Sequence, residues 1–190
     1  LREAWNILNA IAEGKIESGD EKKLNALKGE TMAVIALCQF DLTRCFGYPY
    51  TKDNGASLGA PLIDHLVGTY ENPSRSTVAQ AYDFIIETLE EAVTLMSEEK
   101  NNGRMNKYAA RALLARVYLY HNDNRKAFDM AEQLIKDVDA SGSYALYPHE
   151  KYVAAWSVET KFGSESFFEI ANSVDDTCLL YTSPSPTRLG

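Results

Sequence analysis

Apolar residues return along this chain at intervals of three and four over long stretches, with charged and amide residues filling the positions between. From Asp20 to Phe46 the series Leu24, Leu27, Thr31, Val34, Ile35, Cys38, Leu42 and Cys45 marks one face of an α-helix. That helix should stop at Gly47, ahead of Pro49. A second begins at Thr77, where Gln80 completes a capping-box spacing. It continues through Val78, Tyr82, Ile85, Ile86, Leu89, Val93 and Met96 toward the turn Asn101-Asn102-Gly103. From Asn106 to Tyr120 the chain is apolar almost all round and rich in Ala, which suits a central helix that its neighbours approach closely. This element should be the most buried of all. After the polar turn His121-Asn122-Asp123-Asn124, the residues Ala127, Met130, Ala131, Leu134, Ile135 and Val138 again follow helical spacing. The last two helices should form an antiparallel hairpin that buries Leu113, Leu114, Val117, Leu134 and Ile135.

A weak internal repeat emerges from these patterns. Lys28, Ala33, Val34, Ile35, Ala36 and Cys38 align with Lys107, Ala112, Leu113, Leu114, Ala115 and Val117, and Ala81-Tyr82-Asp83 aligns with Ala127-Phe128-Asp129. The chain therefore reads as two units of helix A plus helix B, the first interrupted by a long segment from Gly47 to Ser76. The predicted fold class is mainly all-α: tetratricopeptide-like antiparallel helical repeats with long loops and little strand. Long ordered loops inside compact domains are often functional, so Tyr48, Tyr50 and Tyr70 of the insertion are candidate ligand contacts. The competing reading is that the insertion's aromatics pin it to the helices. Beyond Val138 the helical signal fades, and Ser166-Phe167-Phe168-Glu169-Ile170 alternates in the manner of a short extended segment.

With 45% apolar and 24% charged residues over 190 positions, the chain suits one globular domain with a sizeable core. A net charge of -8 argues against wrapping nucleic acid or lying on an anionic membrane, both of which need clustered Lys and Arg. No apolar run approaches the roughly 18 to 20 residues of a membrane span. The chain opens at Leu1, already inside a predicted helix, so the true N-terminus and any signal sequence are expected upstream. Cys38 and Cys45 lie two helical turns apart, roughly 10 Å between Cα atoms and too far for a disulfide. Both read as small buried hydrophobes. His65, His121 and His149 are scattered, and neither a His-Glu-x-x-His nor a Gly-x-Ser-x-Gly pattern occurs. Glu90-Glu91 and Glu98-Glu99 read as solvated helix positions, where nothing would tune a carboxyl for general acid work. Asp53-Asn54-Gly55 lacks the acidic twelfth ligand of a calcium loop and reads as a plain turn. No catalytic residue, metal ligand or cofactor is expected.

Four ordered segments resemble the SusD/RagB family. The first is Gly29-Glu30 followed by Ala36, Phe40, Asp41, Leu42, Arg44, Phe46-Gly47 and Pro49, with Met32 and Ile35 standing where the family pattern has arginines. Arg75, Val78, Tyr82-Asp83-Phe84-Ile85-Ile86 and Leu89-Glu90-Glu91-Ala92 make the second. The third, and strongest, is Gly103-Arg104, Lys107, then the run from Ala109 to Tyr120 and Lys126-Ala127. Ser164-Glu165-Ser166-Phe167-Phe168-Glu169-Ile170 is the fourth.

The resemblance implies a SusD-like helical-repeat domain over residues 1–177, truncated at both ends, followed at 178–190 by a Ser-Pro tail unlike the family that reads as non-native and should pack against nothing. It further implies a non-enzymatic lipoprotein on the surface of the outer membrane. Such a protein would capture oligosaccharide or another nutrient for a SusC-like TonB-dependent transporter, and would touch the membrane only through a lipid anchor missing from this chain. In relatives, sugars stack on aromatic rings and hydrogen-bond to amides in early helices, which makes Trp5, Asn6 and Asn9 candidates. Trp5, at helical spacing from Leu8, also fits a core position. Arg104, Lys107 and Arg111 read as supports for helix termini and partner charges. Two competing classes remain, a tetratricopeptide-like module that binds a protein or peptide and a structural surface subunit.

Overall fold

Helix α1 spans Arg2–Ala12. Asp20 then starts the longest helix, α2 (Glu21–Phe46), by accepting hydrogen bonds from the Lys22 and Lys23 amides, two of the donors that a helix start leaves free. The structure, a computed structural model, describes residues 1–16, 18–155 and 161–170. As expected, α2 ends at Gly47. The insertion after it contains a short 3-10 turn at Tyr50–Lys52 and an antiparallel ribbon of β1 (Leu58–Pro61) and β2 (Arg75–Thr77). The ribbon feeds α3 (Val78–Leu95), whose start carries the predicted capping box: Thr77 accepts from the Gln80 amide, and the Gln80 side chain accepts from the Thr77 amide. Asn106 caps α4 (Lys107–Tyr120), Asp123 caps α5 (Asn124–Ser141), and a second 3-10 turn leads into α6 (Tyr152–Ala155).

Each of α2 to α5 packs antiparallel on the next, and α1 packs on α2. Side chains from three helices meet in one core: Met32, Ala36 and Phe40 of α2, Tyr82, Ile85 and Leu89 of α3, and Ala110, Leu114 and Val117 of α4. As anticipated, α4 is the most buried element, with eight of its 14 residues buried against nine of 26 in α2. Its alanines bring neighbouring backbones close, and its leucines fill the remaining space. A smaller cluster of Tyr108, Leu134, Val138 and Tyr144 closes the α4–α5 hairpin.

Several local expectations are corrected. Of the predicted face of α2, Thr31 and Ile35 are buried, while Val34, Cys38 and Leu42 are half-buried; the buried face is centred instead on Gly29, Met32, Ala33, Ala36, Gln39, Phe40 and Thr43. The ribbon covers α2 with backbone polar groups, so a polar residue is selected there. Gln39 donates to the Pro61 carbonyl (3.1 Å) and accepts from the Ile63 amide (3.2 Å), which removes the cost of burying its amide. Cys38 is half-buried and Cys45 exposed, both as free thiols, so neither is the core residue expected. Ile135 is 61% exposed, because α4 covers only the stripe of α5 that carries Ala127, Leu134 and Val138. α3 ends at Leu95, earlier than predicted, with Met96 as its cap. The segment 166–170 makes bends instead of a strand, and Phe167 turns in toward both core clusters. Met32 and Ile35 are both buried, which fits their replacing arginines. The tail 178–190 and the domain limit at 177 lie outside the described residues.

Leu114 is 1% exposed in the shared core, so Leu114→Ala should cost about 2–5 kcal/mol. Ile135→Ala, on the open side of α5, should stay within about 0.5 kcal/mol of the parent. Urea denaturation of both variants checks the difference, and equal losses would contradict this packing.

Candidate ligand-binding surface

The C-terminal end of α2, the start of α3 and the end of α4 meet at one end of the helical stack, and the insertion folds over them. After Gly47 the chain turns back through Pro49, and the Gly55 amide donates to the Tyr50 carbonyl at 3.0 Å. Gly55 has φ +74°, and a Cβ there would sit 2.7 Å from both the Ala79 amide nitrogen and the Tyr50 ring. Only glycine lets the turn reach the start of α3 this closely. As read from the sequence, Asp53-Asn54-Gly55 is a turn, with Ser57 donating to the Asp53 carboxylate. Arg75 then ties the ribbon, donating from Nε to the Gly59 carbonyl (2.7 Å) and from Nη2 to that of Leu58 (2.9 Å).

Tyr50 is thereby drawn into an aromatic cluster. Its ring lies 4.2 Å from that of His121 and 5.6 Å, edge to face, from that of Tyr82. Tyr82 meets Phe40 at 6.1 Å, and Phe40 meets Tyr120 at 5.4 Å, both near perpendicular. Burial pushes the Tyr82 hydroxyl up to about 12. The Arg44 guanidinium stands 4.8 Å from the Phe40 ring centre and 5.4 Å from that of Tyr120, with Arg116 on the same pair at 5.8 and 5.9 Å. Hydrogen bonding to Arg44, and then to Arg116, lowers the Tyr120 hydroxyl from its ordinary value. Phe46, Tyr48 and Tyr120 remain exposed, and Lys52 lies 3.1 Å from the Tyr48 ring centre. This end of the molecule thus presents exposed aromatic rings beside two guanidinium groups, of which that of Arg44 is paired with Asp41.

The six candidates from the sequence do not form one site. Trp5, Asn6 and Asn9 lie on α1: Trp5 is half-buried with its indole N–H unpaired among the described residues, Asn6 donates to Glu3 (3.3 Å), and Asn9 is half-buried. Tyr48 and Tyr50 flank Pro49 beyond α2, Tyr48 exposed and Tyr50 pinned in the aromatic cluster. Tyr70, 94% exposed, stands between the strands in a loop where His65 contacts Asp64 (2.6 Å) and Glu71 (2.7 Å), and Glu71 accepts from the Gly68 amide. Arg44, Arg116, Tyr120 and Phe46 are not among the six sequence candidates. The Tyr-Leu-Tyr-His run 118–121 is a local aromatic signal at that place in the sequence.

A second concavity, a groove of about 520 Å³, lies between the start of α2 and the α3–α4 connection, lined among others by Leu24, Leu27, Met96 and Met105. Glu30 and Arg104 form an ion pair on its wall, and Glu30 also accepts from the Met105 amide (3.0 Å). None of the six candidates is among its described lining residues. The basic residues behave as structural supports, as expected: Lys107 pairs with Glu98 (3.5 Å), and Arg111, largely buried, pairs with Asp137 (2.6 Å). Arg111, then Gln133, lowers the Asp137 carboxyl by hydrogen bonding.

The profile of a SusD-like family, described as starch-binding and associating with the outer membrane, matches residues 1–119. Among solved structures, a SusD superfamily protein from Bacteroides vulgatus is 95% identical, with a TM-score of 0.88 over 92% of this chain and 39% of its own. A SusD superfamily protein from Bacteroides thetaiotaomicron is 42% identical, with a TM-score of 0.82 over 89% of this chain and 36% of its own. A proposed sugar-binding protein from Bacteroides vulgatus is 39% identical, with a TM-score of 0.79 over 90% of this chain and 39% of its own. The chain therefore spans less than half the length of these relatives. No curated protein matches it.

Two insertion tyrosines should respond differently to truncation. Tyr50→Ala removes a ring packed on Tyr82 and His121 and should cost roughly 1–3 kcal/mol, whereas Tyr70→Ala should change stability by less than about 0.5 kcal/mol. Thermal melts of the two variants check the contrast. The Tyr70 loop should also respond to pH. Hydrogen bonding to Asp64, and then to Glu71, raises the His65 imidazole, while the Gly68 amide, and then His65, lowers the Glu71 carboxyl. The His65 contribution is complete below the ordinary imidazole value and is lost as pH rises through the raised one. That of Glu71 is present above its ordinary value and lost as pH falls through the lowered one, so the loop is held best between the two. In an NMR titration, Glu71→Gln should move the His65 midpoint downward, and an unmoved midpoint would exclude this contact.

Proposed function

Because this chain belongs to the SusD-like family of starch-binding proteins that associate with the outer membrane, we propose that its parent protein captures oligosaccharide at the cell surface without cleaving it and delivers it to a TonB-dependent transporter. The family match over residues 1–119 is the observation that carries this reading. Physical support comes from the end of the stack where Phe46, Tyr48 and Tyr120 are exposed beside Arg44 and Arg116. Rings of this kind take a sugar's apolar face, and guanidinium groups donate to its hydroxyls without needing a metal or a redox partner. Tyr48 and Tyr70 are the insertion residues best exposed to act in this way, with Trp5, Asn6 and Asn9 as a separate candidate group on α1. Among the described residues no helix is long and apolar enough to cross a membrane, and the proposed attachment is a lipid carried on the parent protein outside this chain.

Shallow sugar sites draw contacts from several segments, and immobilising each side chain opposes binding. The parent protein should therefore bind more tightly than this chain alone. Calorimetry of the parent against a polysaccharide panel, with an assay for new reducing ends in the same samples, should give saturable binding and no new ends. Tyr48→Ala and Tyr70→Ala should weaken that binding without lowering the melting temperature. New reducing ends would replace capture by catalysis, and peptide binding without glycan binding would favour an interaction module instead.

A further inference from the structure

Between its two strands the insertion carries residues 64–74 outside the ribbon. The chain is held up to Ile63, whose amide donates to Gln39, and again from Arg75, whose guanidinium donates to the Gly59 and Leu58 carbonyls. Among the described residues, the hydrogen bonds within the stretch between these anchors all involve His65 or Glu71. The His65 ring stands between two carboxylates, with Nδ1 2.6 Å from Asp64 and Nε2 2.7 Å from Glu71. The other oxygen of Glu71 accepts from the Gly68 amide at 3.0 Å, and the Glu71 amide donates to the Gly68 carbonyl at 3.2 Å. Tyr70, 94% exposed, is carried inside the turn that these bonds close.

An ionised carboxylate only accepts, so both contacts of the ring are hydrogen bonds only when both nitrogens carry a proton. A neutral imidazole has one N–H. Whichever nitrogen keeps it, the other turns a lone pair toward a carboxylate, and two negative groups then face each other across an uncharged ring. Asp64 and Glu71 are the charged groups that act on His65 among the described residues, and no cation stands by to replace the imidazolium. We propose that His65 is a proton-operated latch, which fixes the Tyr70 loop for glycan capture when the ring is charged and releases it when the ring is neutral. The step from loop to ligand rests on the capture function proposed above. Its sign follows from the geometry: the latch is shut while the ring is charged and both acids are ionised, and it opens as pH rises through the imidazole titration. By linkage, a ligand that prefers the latched loop holds the proton on His65 more firmly in return.

Two measurements on the parent protein across roughly pH 5 to 9, a range that brackets the ordinary imidazole value, test this. Hydrogen exchange of the peptide 64–72, read by mass spectrometry and corrected for the intrinsic rate, reports the loop. Calorimetry with soluble starch or, where starch does not bind, with the panel polysaccharide that does, reports capture. Loop protection and affinity should fall together as pH rises, each by about two- to fivefold, the scale of an exposed ion pair, with one shared midpoint. Saturating polysaccharide should move the exchange midpoint upward. His65→Gln, uncharged at every pH, should flatten both profiles, whereas Tyr70→Ala should flatten the affinity profile and leave the exchange profile in place. Loop protection that ignores pH, or that changes equally in His65→Gln, would overturn the latch. A loop that titrates while affinity stays flat would overturn its role in capture. Absence of polysaccharide binding at every pH would sink the capture reading and that role with it, and the exchange profile would separately decide whether His65 holds the loop.

Discussion

The close approach of α2 and α3 at Gly29, together with the clamp made by its neighbour Glu30, is the constraint on which the rest of the structure depends. A Cβ at position 29 would lie 2.7 Å from Met96 and 2.9 Å from the Ala92 carbonyl, so only glycine lets the end of α3 cross here. The next residue fixes the entry to α4. Glu30 takes the Arg104 guanidinium on one carboxylate oxygen and the Met105 amide on the other, directly before α4 begins. The pair therefore sets the α2–α3 spacing and the point at which α4 enters between its neighbours. A charged, mostly shielded carboxylate with both oxygens engaged is stable in this position, whereas leaving it unpaired would be costly.

Placing α4 also organises the far end of the stack. Phe40, Tyr82, Tyr120 and His121 come from three helices and meet only because those helices are held in register at Gly29 and Glu30. The insertion closes on that cluster through Tyr50 and is fastened to α2 by Gln39. An arrangement of this kind separates two jobs. Tyr50 and Gln39 hold the insertion down, and Tyr48, Tyr70, Phe46 and Tyr120 stay available at the surface.

Helical repeats grow by laying one hydrophobic face on another, so the same sequence positions are core in one unit and surface at an open end. Leu89 and Ile135 occupy equivalent places on α3 and α5, yet one is buried and the other is not. Their difference lies wholly in what covers them. The exposed apolar stripe of the second unit is thus a property of position in the stack and carries no information about the intrinsic preference of α5.

Sequence alone determined α2 to α5, their order and most of their ends, because 3.6-residue periodicity and capping are local: Asp20, the Thr77 and Gln80 pair, Asn106 and Asp123 all cap where their side chains reach the first free amides. It also determined the centrality of α4, since a helix apolar on every side has no stable place but the interior. The ordered motifs were specific enough to identify the family. Tertiary structure alone decided which side of α2 is buried, since α1, α3, α4 and β1 all press on it and a polar Gln39 became core by meeting the ribbon's backbone. It separated Tyr50, which packs, from Tyr48 and Tyr70, which do not, and it placed Arg44 and Arg116 on one pair of rings though 72 positions part them in sequence. Nothing local encodes such a meeting, because it depends on the distance and angle between whole helices, which are set where Gly29 and Glu30 bring them together.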